Sequence, residues 1–246
     1  MSSPSPLILL AAELNALRSS KDNRVITPRR ELYHMFPKRL SDGYEAFLSG
    51  RFPDERIRYE QLAEIGQNPE ILLIGCCDSR VSPEVIFDAG PGEMFVIRNV
   101  ANLVPPYEGE AESSSYHGTS AAIEFAVNAL NVKHIVVLGH ASCGGVRAVF
   151  DDFKPLTKID FVGKWVSQII PVADSLPRTG DRAHDIQRLE RAVVGHSLTN
   201  LMTFPSIRAR VEDGRLELHG AYFGVATGLL FLRDPASGEF SPVRSA

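Results

Sequence analysis

The chain is short of cysteine, of net charge and of long apolar runs, and each shortage narrows what it can be. Cysteine occurs three times in 246 residues, at Cys76, Cys77 and Cys143. An odd and small number excludes a disulfide framework and suits a reducing compartment, so a cytoplasmic location is expected. The formal net charge is −4, from 26 Lys and Arg against 30 Asp and Glu. No basic footprint points to nucleic acid or to an anionic membrane as partner. No apolar stretch reaches the ~20 residues of a membrane-spanning helix. The apolar segment 6–12 is short and has no basic residue ahead of it, which argues against a secretion signal. Internal repeats and low-complexity tracts are missing too.

The organisation is that of one domain with an appendage. Residues 1–30 open with Ser and Pro, pass through a helix-like stretch from Leu7 to Leu17 and end in the basic, polar patch Lys21 to Arg30. They read as an N-terminal helical arm or extension. Residues 31–246 read as a single catalytic domain. Within it, helical spacing sets Leu40, Tyr44, Phe47 and Leu48 on one face, and Tyr59 to Ile65 reads as a helix ended by Gly66. Apolar runs at Ile71–Gly75, Met94–Arg98 and Lys133–Leu138 alternate with helical segments. This β-α-β-α-β pattern predicts a parallel sheet with right-handed crossovers. Ser82 and Pro83 mark a helix start, with Ser82 as cap. Two long helices are expected over 158–176 and 181–204. Leu216–Phe223 and Leu229–Leu232 read as late strands, the last an antiparallel edge. The expected fold is therefore α/β: a mostly parallel central sheet of four strands plus an antiparallel edge strand, flanked by helices.

Two of the strands end alike, in an apolar run, a glycine and then reactive side chains. The first continues Gly75-Cys76-Cys77-Asp78-Ser79-Arg80, and the third Gly139-His140-Ala141-Ser142-Cys143-Gly144-Gly145. Carboxyl ends of strands in one parallel sheet lie on the same side, where α/β proteins bind ligands. Cys76 can thus meet His140 and Cys143, whose His-x-x-Cys spacing fits one turn. Two thiolates and one imidazole leave a tetrahedral position open, as in catalytic zinc sites, and soft sulfur selects zinc over magnesium or calcium. Asp78 and Arg80 stand where they can manage that open position. Gly144 and Gly145 open a helix whose free N–H groups favour an anion. Cys77 reads as a core residue. His34, His117, His134, His184, His196 and His219 have no paired spacing and read as surface or hydrogen-bonded residues.

With the run Pro91 to Asn102, these motifs closely resemble those of the β-class carbonic anhydrases, and the similarity extends from about Glu31 onward. The resemblance implies one zinc per chain on Cys76, His140 and Cys143, with carbon dioxide and bicarbonate as substrates. It implies reversible hydration of carbon dioxide by attack of zinc-bound hydroxide, which Asp78 aims and Arg80 keeps Asp78 from quenching. By the same match, Gln67, Phe95 and Phe125 are pocket residues, some of them given to a second subunit, so that a homodimer or homotetramer is expected. Phe125 stands where many members carry tyrosine. Members with an inhibitory bicarbonate site carry tryptophan where this chain has Leu73, paired with an arginine and a late tyrosine; Arg98 remains, but the set is incomplete. A plant-like site without that switch is the expectation. A relative acting on carbon disulfide, a zinc or redox sensor and a thiol-dependent transferase using Cys76 share some of these features.

Overall fold

The computed structural model describes residues 35–109, 117–151 and 154–243. The arm expected over 1–30 lies outside the described residues. The chain divides into two units, one ending at Ile57 and one beginning at Arg58. In the first, α1 (Lys38–Ala46) carries the pair Lys38–Asp42 at 2.7 Å, four residues apart on one face. A wider-wound stretch, Phe47–Arg51, separates it from α2 (Phe52–Ile65). The sequence pattern starts this helix at Tyr59. Pro53, with Asp54 and Glu55 in the first turn, sets the start earlier. Gly66 ends it as expected, at φ +84° with its N–H bonded to the Leu62 carbonyl at 3.0 Å.

The second unit is built on a sheet in the order β2-β1-β3-β4-β5-β6. The strands are β1 (Ile71–Cys76), β2 (Met94–Asn99), β3 (His134–His140), β4 (Glu217–Phe223), β5 (Leu230–Arg233) and β6 (Phe240–Pro242). The first four in this list run parallel, and β5 and β6 are antiparallel. Four parallel strands and an antiparallel edge were expected from the sequence; β6, only three residues long, is an addition at that edge. Helices α3 (Pro83–Ile86) and α4 (Gly118–Glu124) connect the early strands. Between β3 and β4 come α5 (Gly144–Phe150), α6 (Phe161–Val166), α7 (Ile170–Ser175), α8 (Arg182–Leu201) and α9 (Pro205–Glu212). The continuous helix expected over 158–176 is divided at Ser167–Ile169, just before Pro171, which has no N–H to continue the ladder. Ser82 sits at the start of α3, but its hydroxyl bonds Glu84 Oε2 at 3.0 Å instead of capping the helix. Among the described residues, no helix is long and apolar enough to cross a membrane.

Strand alternation sorts the core into two faces. Leu72 and Ile74 of β1 share a face with Ile135 and Val137 of β3, and all four are fully buried against Ile123, Val127, Val194, Leu201 and Ile207. Each such side chain contributes about 1.5–3 kcal/mol relative to exposure. The opposite face carries Leu73, Leu138 and Ala221, with Met94, Val96, Val136 and Leu230 partly buried around them.

One glycine sets how close α8 comes to the sheet. A Cβ on Gly139 would lie 2.6 Å from Val194 Cγ2 and 3.6 Å from the Glu190 carbonyl oxygen. The helix therefore rests directly on the end of β3, one position before the His140–Cys143 turn. Gly139→Ala should cost about 1–3 kcal/mol by overpacking. Urea denaturation should read this as a lower midpoint at unchanged slope. Part of the loss should return in Gly139→Ala/Val194→Ala; an undiminished loss in the double variant would show that another contact is responsible.

Candidate metal centre

The ladder between β1 and β3 pairs Gly75 with Leu138, so the residues following each come side by side at the carboxyl end of the sheet. Cys76, His140 and Cys143 bring one ligand atom each to within 4.8 Å of one another. All three are buried, at 6%, 1% and 1% exposure. The two sulfurs are 4.0 Å apart and both thiols are free. His140 Nδ1 lies 2.9 Å from the Ala141 carbonyl oxygen, which makes it the donor and leaves Nε2 as the lone-pair nitrogen. That Nε2 is buried with no hydrogen-bond partner. A buried acceptor left unsatisfied next to two thiols is costly unless something completes it, and a metal ion fits this donor set.

The thiols share their charge unequally. The hydrogen bond from Cys143 lowers the Cys76 pKa to about 4, and His140 and the backbone N–H groups of Asp78 and Ala101 add to the effect against the cost of burial. Cys143 is raised, by its bond to the Cys76 thiolate and by burial. Burial opposes a charged His140, but the neighbouring Cys76 outweighs it and raises its pKa. The cluster thus holds protons that a bound cation would displace.

Beside it, Asp78 is gripped by Arg80. Arg80 Nε donates to Oδ1 at 2.9 Å, Nη2 to Oδ2 at 2.6 Å and the Arg80 backbone N–H to Oδ1 at 3.0 Å. These bonds hold the Asp78 carboxyl well below the usual carboxylate range. Arg80 Nη2 also reaches the Ser142 carbonyl at 3.1 Å and so ties the two strand-end loops together. Arg98 braces the first loop from β2, donating to the carbonyls of Cys76 at 2.9 Å and Asp78 at 2.7 Å.

The start of α5 serves the cluster directly. The N–H groups of Gly145 and Val146 point at the Cys143 sulfur and oppose the rise in its pKa, so they would favour its thiolate once a cation displaces the proton. Gly145 is small because the chain behind it is close: a Cβ would lie 2.7 Å from Val100 Cγ1 and 3.0 Å from Ala101 Cβ. Gly144 meets no such neighbour.

Two placements differ from the sequence reading, at Cys77 and at the pocket residues, and one hydrogen-bonded histidine pair gains its partner. Cys77 is exposed rather than in the core. The chain leaves the sheet after Cys76, and the Cys77 N–H makes a last bond to the Asn99 carbonyl at 2.9 Å. His134 and His219, unpaired in sequence, stand 3.2 Å apart on neighbouring strands. Gln67 precedes β1, at the end of the sheet opposite Cys76. Six strand residues intervene, about 20 Å. Phe95 pairs with Leu72 low on the ladder, and its ring packs at 5.7 Å from that of Phe125, which is 48% exposed. Within one chain these three do not line the cluster.

One supporting residue escaped the sequence reading. Glu190 of α8, 3% exposed, accepts the Cys143 N–H at 2.9 Å and the Tyr222 hydroxyl at 2.7 Å. Burial raises its pKa. The signal was present: Glu190 lies on the helical stripe of Ile186, Val193, Val194 and Leu201, where a carboxylate has no business without a partner.

The family model for carbonic anhydrase matches residues 71–230. Among curated relatives, β carbonic anhydrase 5 of Arabidopsis thaliana is 38% identical over 188 residues, 75% of this chain and 60% of that protein. The chain belongs to the β-class carbonic anhydrases. The solved structure of the β-carbonic anhydrase CcaA superposes with a TM-score of 0.73 at 32% identity, covering 86% of this chain and 93% of that one. A tetrameric β-carbonic anhydrase of Sordaria macrospora gives 0.60 at 29% identity, covering 87% and 100%. The Cys-His-Cys cluster is the candidate metal centre of this carbonic anhydrase.

Glu190→Ala should leave the Cys143 N–H and the Tyr222 hydroxyl without their acceptor, at about 1–3 kcal/mol each. It should also weaken metal retention by roughly 10–100-fold, as removal of outer partners of ligands does. Competition with a chromophoric chelator would measure this; unchanged retention would reduce Glu190 to a packing role.

Proposed function

We propose that this carbonic anhydrase reversibly hydrates carbon dioxide to bicarbonate and a proton, with one zinc per chain held by Cys76, His140 and Cys143. The observation that carries this reading is the unsatisfied, buried Nε2 of His140 beside two buried free thiols 4.0 Å apart. Held by these three residues, a zinc ion would supply a water acidic enough to ionise at about pH 7.

The chain's own residues do the rest. Asp78, kept ionised by Arg80, is an acceptor that orients a proton-bearing nucleophile at the open position. Both its oxygens are engaged by Arg80, and it stands outside the Cys-His-Cys group, which favours an open site. Arg80 acts through Asp78 and is a positioning residue. The N–H groups of Gly145 and Val146 stabilise the Cys143 thiolate as a ligand, and Gly144 is left as the helix-start position for an anionic product. Leu73 is 1% exposed in the core of the sheet. With Arg98 committed to the Cys76 and Asp78 carbonyls, this supports a plant-like site without an inhibitory bicarbonate pocket.

Gln67, Phe95 and Phe125 complete the pocket, in this reading, from a neighbouring copy, so the active form is a homodimer or a homotetramer. The tetrameric state of the Sordaria relatives supports this. Free thiols suit a reducing compartment, and we place the protein in the cytoplasm.

Stopped-flow hydration assays with metal analysis test the proposal. After dialysis against a weak chelator, one tightly held zinc per chain is expected, lost in Cys143→Ser. The hydration rate should rise with pH through about 7. Asp78→Ala should keep its zinc and lose about 100-fold in rate, the scale of a misplaced reactant. Metal-free, inactive wild type would overturn the reading. Added bicarbonate at low pH should cause no cooperative inactivation, and sedimentation should give a dimer or tetramer; a monomer of full activity would remove Gln67 from the site.

A further inference from the structure

A second set of metal-ligating side chains stands at the other end of the same sheet. β3 and β4 run parallel with His134 opposite Glu217 and Val136 opposite His219. Paired residues of parallel strands project to one face, and Glu217 and His219, two apart, share a face as well. All three side chains therefore converge on the face that carries Leu73, Val136 and Ala221. His134 Nδ1 lies 3.2 Å from His219 Nε2, and Glu217 Oε2 lies 3.8 Å and 3.6 Å from those two nitrogens.

This triangle is informative. The edges to the carboxylate exceed the 2.7–3.2 Å of an N–H···O hydrogen bond. They sit close to the spacing that one shared ion imposes. Nitrogen and oxygen ligands at 2.0–2.1 Å around a tetrahedral centre lie about 3.3 Å apart. Two imidazoles and one carboxylate form a donor set used by catalytic zinc, with a fourth position free. The rings are half-buried along an apolar hollow of about 400 Å³, lined also by Ile71, Leu73, Val136, Ala221 and Leu232.

We propose that His134, Glu217 and His219 form a second metal site, taking a divalent first-row transition ion of the zinc type. It has no thiolate, so it binds more weakly than the Cys-His-Cys centre and selects among borderline ions rather than soft ones. His134 and His140 are six residues apart on β3, so the two sites are separated by about 20 Å along the strand. An ion here clips β3 to β4 at their amino ends, where the strands enter the sheet. The site stands independently of the hydration reaction.

Cobalt titration of the full chain tests it, after the Cys-His-Cys centre has been loaded with one equivalent. The first equivalent carries a thiolate-to-cobalt charge-transfer band. A second equivalent should then bind with visible d–d absorption and no further charge-transfer intensity, and should raise the melting temperature. Glu217→Gln, a change at an exposed side chain, should weaken that second event by roughly 10-fold or more. His134→Ala/His219→Ala should abolish it. Retention of the first-equivalent band in each variant shows that the fold is intact. Absence of a second equivalent in the wild type overturns the proposal, as does a second equivalent that persists undiminished in Glu217→Gln. Failure of the hydration assay has no bearing on either result.

Discussion

The backbone ladder that locks Gly75 beside Leu138 carries the whole site with it. Parallel pairing in this register delivers Cys76 and the His140–Cys143 turn to the same edge, from positions far apart in the chain. Every later contact refines that delivery. Gly139 lets α8 settle on β3, α8 brings Glu190 to the Cys143 N–H, and Gly145 lets the start of α5 close against Ala101. Ser142, at φ +58°, makes the bend that turns Cys143 back toward Cys76. Remove the ladder and no local feature would assemble the three ligands.

Charge is arranged around the cluster in pairs. One thiol gives up its proton by leaning on the other, and one carboxylate gives up its freedom to a guanidinium. The outcome is a compact group of two sulfurs, an imidazole lone pair and a fixed acceptor, the last two held by partners that are not themselves ligands. Asp78 is thereby kept charged, with both carboxylate oxygens engaged by Arg80.

Much of this was legible in the sequence because it is local. Apolar runs that end in glycine and then reactive side chains announce strand ends, and two such ends in a βαβ pattern must meet. What was hidden depends on register or on tertiary approach. His134 and His219 are 85 positions apart and meet only because β3 and β4 pair with a particular offset. Glu190 is 47 positions from Cys143, and its position on an apolar stripe was a clue left unused. Cys77 was assigned to the core by its neighbours' character, whereas the strand stops one residue before it. The pocket residues Gln67, Phe95 and Phe125 were named through resemblance, and no feature of a single chain gathers them at the ligands.

Arg98 has a consequence for the life of the protein after its metal is lost. Its guanidinium holds the Cys76 and Asp78 carbonyls from a neighbouring strand, and Arg80 ties the same loop to Ser142. The ligand loop is therefore latched by protein groups alone. Stripping the ion exposes a socket that keeps its shape, ready to be refilled, in contrast to small zinc-dependent folds that collapse when chelated.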